Sequence, residues 1–237
     1  MIRLVLGAGA VWYLAIRLGE IPPYLLPAPD RVGRALWTAR GALAEAGLHT
    51  LSEVVAGFAL GAAIGMTLAI GMALSVGLRR TLLPVLTFSQ TIPIFALAPL
   101  LTLWLGFGMA PKIAVVALTV LFPVAASWFD GLMRPDPLHL KVMESFGASH
   151  RQTFVAVRLP SARPALATGL RMAAVYAPVG AIIGEWVGGS QGLGAMMIAS
   201  NARMKTDLLF AALAVTVALS LTFRAAIGAL ADRIARI

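Results

Sequence analysis

Residues 132–164 read LMRPDPLHLKVMESFGASHRQTFVAVRLPSARP, a polar stretch set between two hydrophobic runs. Pro135 and Pro137 stop the run before it, because neither donates to a continuing helical ladder. Leu138 to Phe146 then places Leu140, Met143 and Phe146 three residues apart, the spacing of one face of a short amphipathic helix. Gly147 suits the left-handed cap that closes such a helix, and Ser149 suits the N-cap of a second one. That second helix turns Phe154, Val157 and Arg158 toward the first, and Leu159-Pro160 is expected to end it. The stretch predicts a helical elbow projecting from an apolar body, a surface on which another protein docks.

The apolar body belongs in a bilayer. With 59% hydrophobic and 12% charged residues and a mean hydropathy of +0.88, the 237 residues hold too little polar surface to clothe a water-soluble globule. Residues 1–237 read as a single transmembrane domain with no soluble domain left over. A formal charge of +9 is compatible with nucleic acid, but the 19 basic residues are spread over loops and span ends, so anionic headgroups are the simpler partner and no nucleic acid is expected. The absence of cysteine excludes disulfides, thiolate metal sites and a cysteine nucleophile. His49, His139 and His150 all lie outside the apolar runs.

A helix needs about 20 apolar residues to cross the hydrocarbon core. The uncharged runs predict spans from Leu4 to about Gly19 with Arg17 snorkelling, Val54 to Leu78, Thr81 to Pro111, Ile113 to Phe129, Pro164 to Val187 with Arg171 and Glu185 inside it, and Leu208 to Phe223. The expectation is an all-α polytopic bundle of six spans, or five if the first is peripheral. With both termini inside, eleven basic residues fall in the cytoplasm against seven outside, which places 132–164 in the cytoplasm. Gly57, Gly61 and Gly65 recur every fourth residue, leaving one face of the second span bare for a neighbouring helix, within the bundle rather than across a dimer seam. Pro84, Pro93 and Pro99 free backbone groups in the third span, so it is expected to be irregular and close to a pathway.

Here the residues carry a resemblance. Gly147, nine residues, Val157, one residue, then Leu159-Pro160 resembles the cytoplasmic signature of ABC importer permease subunits: E-A-A, three residues, G, nine residues, I, one residue, L-P. The chain departs at the E-A-A triplet, whose places hold Lys141, Val142 and Met143, with Glu144 one place later. Leu26-Pro27-Ala28-Pro29, Ile92-Pro93 through Pro99, Leu105-Gly106-Phe107-Gly108 and Gln191-Gly192-Leu193-Gly194 are similar to the nitrate, sulfonate and taurine branch of these permeases. Within it, residues 176–180 (YAPVG), 184–188 (GEWVG) and 201–207 (NARMKTD) look most like permeases for hydroxymethylpyrimidine-type thiamine precursors. The resemblance implies a type I ABC importer permease fold, a multi-pass inner-membrane location and a second permease subunit as homodimer partner. It also implies cytoplasmic ATPase subunits receiving the elbows and an extracytoplasmic solute-binding protein. No G-x-x-x-x-G-K-[ST] loop occurs, so no cofactor is expected on this chain, ATP is used by the partner subunits, and the chain itself is no enzyme.

Glu185 is read as the one acidic residue within the apolar part of a span, either facing the pathway or hydrated at the outer interface beside Arg203 or Lys205. Gln90, Tyr176 and Asn201 complete the candidate pathway set, as groups that orient a heteroaromatic ligand; an interhelical bond explains Gln90 and a turn explains Asn201 equally well. Arg171 is assigned to snorkelling or a structural partner, and Trp12, Trp37, Trp104, Trp128 and Trp186 to an interfacial belt. Gly188 to Gly192 superficially resembles a hydrolase turn, but no histidine is expected near Ser190 to activate it. The expected function is ATP-driven import of a small polar solute: a hydroxymethylpyrimidine-type precursor, otherwise a sulfonate, nitrate or related solute. The alternative is a self-contained carrier or channel, which would be expected to show an inverted repeat and coupling-ion residues at mid-membrane.

Overall fold

The computed structural model describes residues 7, 11–16 and 18–236, and these contain helices joined by turns and no strand. Residues 4–6, 8–10 and 17 of the predicted first span lie outside the described residues. Within it 11–16 is helical, and Trp12 stacks on Phe210 with ring centroids 6.1 Å apart. α1 (Pro29–Thr38) opens with proline in its first turn and Asp30 beside the positive end of its dipole. α2 (Arg40–Leu74) is the longest element, 35 residues. Ser75 then breaks the helix in an extended conformation and caps α3 (Val76–Ser89) by accepting from the Leu78 amide.

The predicted third span is not one helix. α3 and α4 (Ile94–Leu105) meet at a bend of 103°. Pro93 stands in the extended region at the head of α4, Thr91 and Ile92 form the break, and Pro84 and Pro99 lie inside the two halves. α5 (Met109–Met133) follows Gly106 and Gly108, both at positive φ. The elbow comes next: α6 (Pro137–Ser145), α7 (His150–Thr153), a π-helical turn (Phe154–Arg158) and α8 (Leu159–Ser161). α9 (Arg163–Gly188), α10 (Leu193–Ala202) and α11 (Thr206–Arg236) complete the chain. Among the described residues, α2, α5, α9 and α11 are long and apolar enough to cross a membrane, and the bent α3–α4 pair makes a fifth candidate span.

α5 is the centre of the bundle. Val116, Val120, Val124, Trp128 and Leu132, every fourth residue, form a buried ridge along it. Helices with bare faces pack on both sides of that ridge. A Cβ on Gly57 would lie 2.4 Å from Val116 Cβ, one on Gly61 2.4 Å from the Ala117 carbonyl, and one on Gly65 2.7 Å from the Leu121 carbonyl. The glycine face of α2 is thus spent within the bundle. On α9, a Cβ on Gly169 would lie 2.8 Å from the Pro123 carbonyl, one on Gly180 2.8 Å from Thr119 Oγ1 and one on Gly184 3.1 Å from Lys112 Cα, all on α5. Trp128 is buried in this core and does not join an interfacial belt, because the ridge spacing turns it inward; Trp37 and Trp104 are exposed.

Leu159-Pro160 does not end the elbow's second helix. The π-helical turn displaces the register by one residue, so that the Leu159 amide reaches back to the Phe154 carbonyl. The helical path then runs through Pro160 to Ser161 before turning at Ala162 into α9.

Candidate functional site

At one end of the bundle stands the elbow. Asp136 caps α6 by accepting from the Leu138 amide at 2.8 Å. Gly147 closes the helix at φ +66, with its amide donating to the Glu144 carbonyl and that of Ala148 to the Met143 carbonyl. Ser149 and Gln152 form a reciprocal capping box for α7. No residue of α6 is buried; Phe146 is 83% exposed, Leu138 and Val142 are exposed, and Lys141 and Glu144 present charge around them. Met143, Val157, Leu159 and Pro160 are half-buried. Phe154 anchors the elbow in the core, and Arg158 donates to the Leu132 carbonyl at the end of α5 at 3.2 Å.

A cavity of about 610 Å³ opens at the α3–α4 bend. Gln90 and Tyr176, 86 residues apart, both line it, with Asp130 and Thr119 as further polar groups among Leu118, Phe122 and Met172. The bend brings Gln90 there, since a straight third span would carry it along the helix axis. The Gln90 side chain donates only to Ser89 Oγ among the described residues, at 3.4 Å.

Glu185 and Asn201 are not part of that cavity. Glu185 is 1% exposed; it accepts from Thr50 Oγ1 at 2.6 Å and from the Gly194 amide. Neither the pathway-facing carboxylate nor the hydrated interfacial anchor expected from the sequence is found, because α2 and the segment before α10 close over it. Asn201 is exposed at the end of α10, where its carbonyl accepts from Met204 in a turn. Arg171 has a partner, Asp232 of α11.

Two functional candidates are absent from the sequence reading. Lys112, which stands between the spans predicted to end at Pro111 and to begin at Ile113, is 5% exposed and donates to Glu53 Oε1 at 2.7 Å and to the Gln191 carbonyl at 3.1 Å. Glu53 is 3% exposed, with its Oε2 unpartnered among the described residues. Each marked the edge of an apolar run; their 59-residue separation gave no sign that they meet. His49 also corrects the reading of Ser190, since the two line the same outer cavities, although no hydrogen bond joins them among the described residues.

The family model described as "Binding-protein-dependent transport system inner membrane component" matches residues 61–236. A probable ABC transporter permease protein of Haemophilus influenzae is 43% identical over 89% of this chain and 86% of its own length. The formylaminopyrimidine transport permease ThiX of Halalkalibacterium halodurans is 35% identical over 78% of this chain and 74% of its own. The riboflavin transport permease RibX of Chloroflexus aurantiacus is 36% identical over 89% and 80%. One chain of the inward-facing MetNI methionine ABC transporter superposes with a TM-score of 0.70 at 18% identity, covering 83% of this chain and 98% of that one, which shows a type I importer permease fold.

Proposed function

As this chain belongs to the family of binding-protein-dependent transport inner membrane components, we propose that it forms the pathway of an ATP-driven importer for a small nitrogen heterocycle of the aminopyrimidine kind. The observation that carries this reading is the elbow. A capped helix with no buried residue, exposing Leu138, Val142 and Phe146 at one end of an apolar bundle, is built to be covered by a partner, and the partner that fits is a cytoplasmic ATPase subunit. The path of force runs from α6 through the π-helical turn into α9. Arg158 ties that turn to the end of α5, and Tyr176 stands on α9 at the cavity. Motion of the elbow therefore reaches the cavity walls through two rigid helices.

A volume of about 610 Å³ suits a small ligand, and its largely apolar wall with a few polar groups suits a flat ring with polar edges. The Gln90 amide offers one acceptor and two donors to such an edge. Relatives named for formylaminopyrimidine and riboflavin support that substrate class. In this reading a second copy of the chain completes the pathway, a solute-binding protein delivers the cargo from outside, and both termini lie in the cytoplasm.

The test is reconstitution in vesicles with the co-purifying ATPase, following ATP hydrolysis and uptake of a radiolabelled aminopyrimidine. Gly147→Pro removes the left-handed cap, since proline cannot adopt φ +66. It is expected to leave membrane insertion intact and abolish uptake-coupled hydrolysis. Full coupling in that variant would refute the docking role. Coupling without aminopyrimidine uptake by the parent would remove the substrate assignment alone.

A further inference from the structure

At the end of the bundle opposite the elbow, three buried side chains converge on one short segment. Lys112 donates to the Gln191 carbonyl at 3.1 Å, Thr50 accepts from the Leu193 amide at 2.9 Å, and Glu185 accepts from the Gly194 amide. Glu53 holds Lys112, and the Thr50 hydroxyl joins Glu185, so four residues from α2, α5 and α9 form one cluster. None is more than 5% exposed. Removing an ion pair from water costs more than its attraction returns unless the geometry is very good, and apolar residues of similar volume commonly stabilise a core as well. Stability alone gives no reason for the cluster.

What the cluster fixes is the path of the backbone between α9 and α10. Gly192 stands at φ +110, and a Cβ there would lie 2.1 Å from Glu185 Oε1, so the chain is pressed against the carboxylate where only glycine fits. The root of the segment, Gly192 to Gly194, is buried, whereas its tip, Ser190 and Gln191, is exposed. That tip lines both a cavity of about 350 Å³ and a cavity of about 640 Å³, and Trp186 flanks the larger one. A partition between two cavities keeps its shape only while its root is held.

We propose that Thr50, Glu53, Lys112 and Glu185 are positioning residues that hold the Ser190-Gln191 tip as a solute contact at the outer mouth of the pathway. The Gln191 amide and Ser190 hydroxyl present donors and acceptors beside an indole ring, which suits a flat heterocycle with both kinds of group on its edge. The inference rests on the transport reading above.

The chain has no cysteine, so Ser190→Cys provides a single reporter. In lipid nanodiscs, with no ATPase present, its reaction with a water-soluble maleimide is timed. Thr50→Val, and separately the charge-free pair Glu53→Gln with Lys112→Met, are expected to speed labelling by about fivefold or more, the scale of one lost hydrogen bond. Thr50→Ser keeps the hydroxyl and is expected to restore the parent rate. Labelling within about twofold of the parent in both variants would overturn the positioning role. In vesicles with serine at 190, Thr50→Val is expected to raise the half-saturating aminopyrimidine concentration about tenfold with the maximal rate little changed. An unchanged half-saturation in a variant whose reporter has responded overturns the solute contact. If instead the reporter responds and the parent moves no solute, the transport reading has failed while the positioning role stands.

Discussion

Lys112 and Glu53 each look costly alone. A lone charge in a low-dielectric interior is strongly disfavoured, and their mutual bond at 2.7 Å, with the Gln191 carbonyl as second acceptor, is what makes burial tolerable. Lys112→Met removes one partner and leaves Glu53 uncompensated. It is expected to destabilise the protein by about 3–5 kcal/mol, whereas Glu53→Leu with Lys112→Met should recover most of that loss. Thermal unfolding in detergent compares the two, and equal melting temperatures for single and double variants would remove the pair from the structural core. Arg171 and Asp232 differ from this pair, because both are partly exposed and such a bridge contributes about 0–1 kcal/mol.

Among the elements, the contact between α2 and α5 depends on what α2 lacks. Gly61→Ala places a Cβ 2.4 Å from the Ala117 carbonyl, a backbone atom that cannot yield cheaply, so the variant is expected to lose about 1–3 kcal/mol. Gly41, on the same helix, meets nothing within 4 Å. Gly41→Ala, in the first turn of α2, is therefore expected to stabilise by no more than about 0.5 kcal/mol through helix propensity alone. Melting temperatures that moved in the same direction for both would contradict this packing. The bend between α3 and α4 was partly legible in the sequence: 31 uncharged residues in a helix would extend about 46 Å, well beyond a hydrocarbon core of about 30 Å. Its place was not legible, since Pro84 and Pro99 are absorbed inside helices while the break falls at Thr91–Pro93.

Across the whole molecule the helices alternate, so that the elbow, Arg79 and the end of α11 share one side, and α1, the Gly106–Gly108 turn and the Ser190-Gln191 tip share the other. Single cysteines in the cysteine-free chain test which side faces the cytoplasm. Gly33→Cys and Ser145→Cys are both exposed positions, and the first has open space around its Cβ. In intact cells an impermeant maleimide is expected to label Gly33→Cys and to leave Ser145→Cys unlabelled until the membrane is opened. The reverse pattern would invert the proposed orientation and place the elbow outside.

The amino-acid sequence alone determined membrane residence, the helical elbow with its Gly147 cap, the glycine face of α2 and the likeness to ABC permeases. Each of these is local, written in hydropathy, spacing or turn chemistry within a few dozen residues. Tertiary structure decided the rest. Lys112 and Glu53 read as span boundaries because a hydropathy window weighs each charge alone, and only a fold that sets them 2.7 Å apart converts two costs into one pair. Glu185 read as a pathway carboxylate for the same reason: its partners, Thr50 and Gly194, come from α2 and α10, and no pattern within α9 announces them. Gln90 and Tyr176 were each visible as polar groups in apolar runs, but their meeting in one cavity follows from a 103° bend that no sequence window could locate.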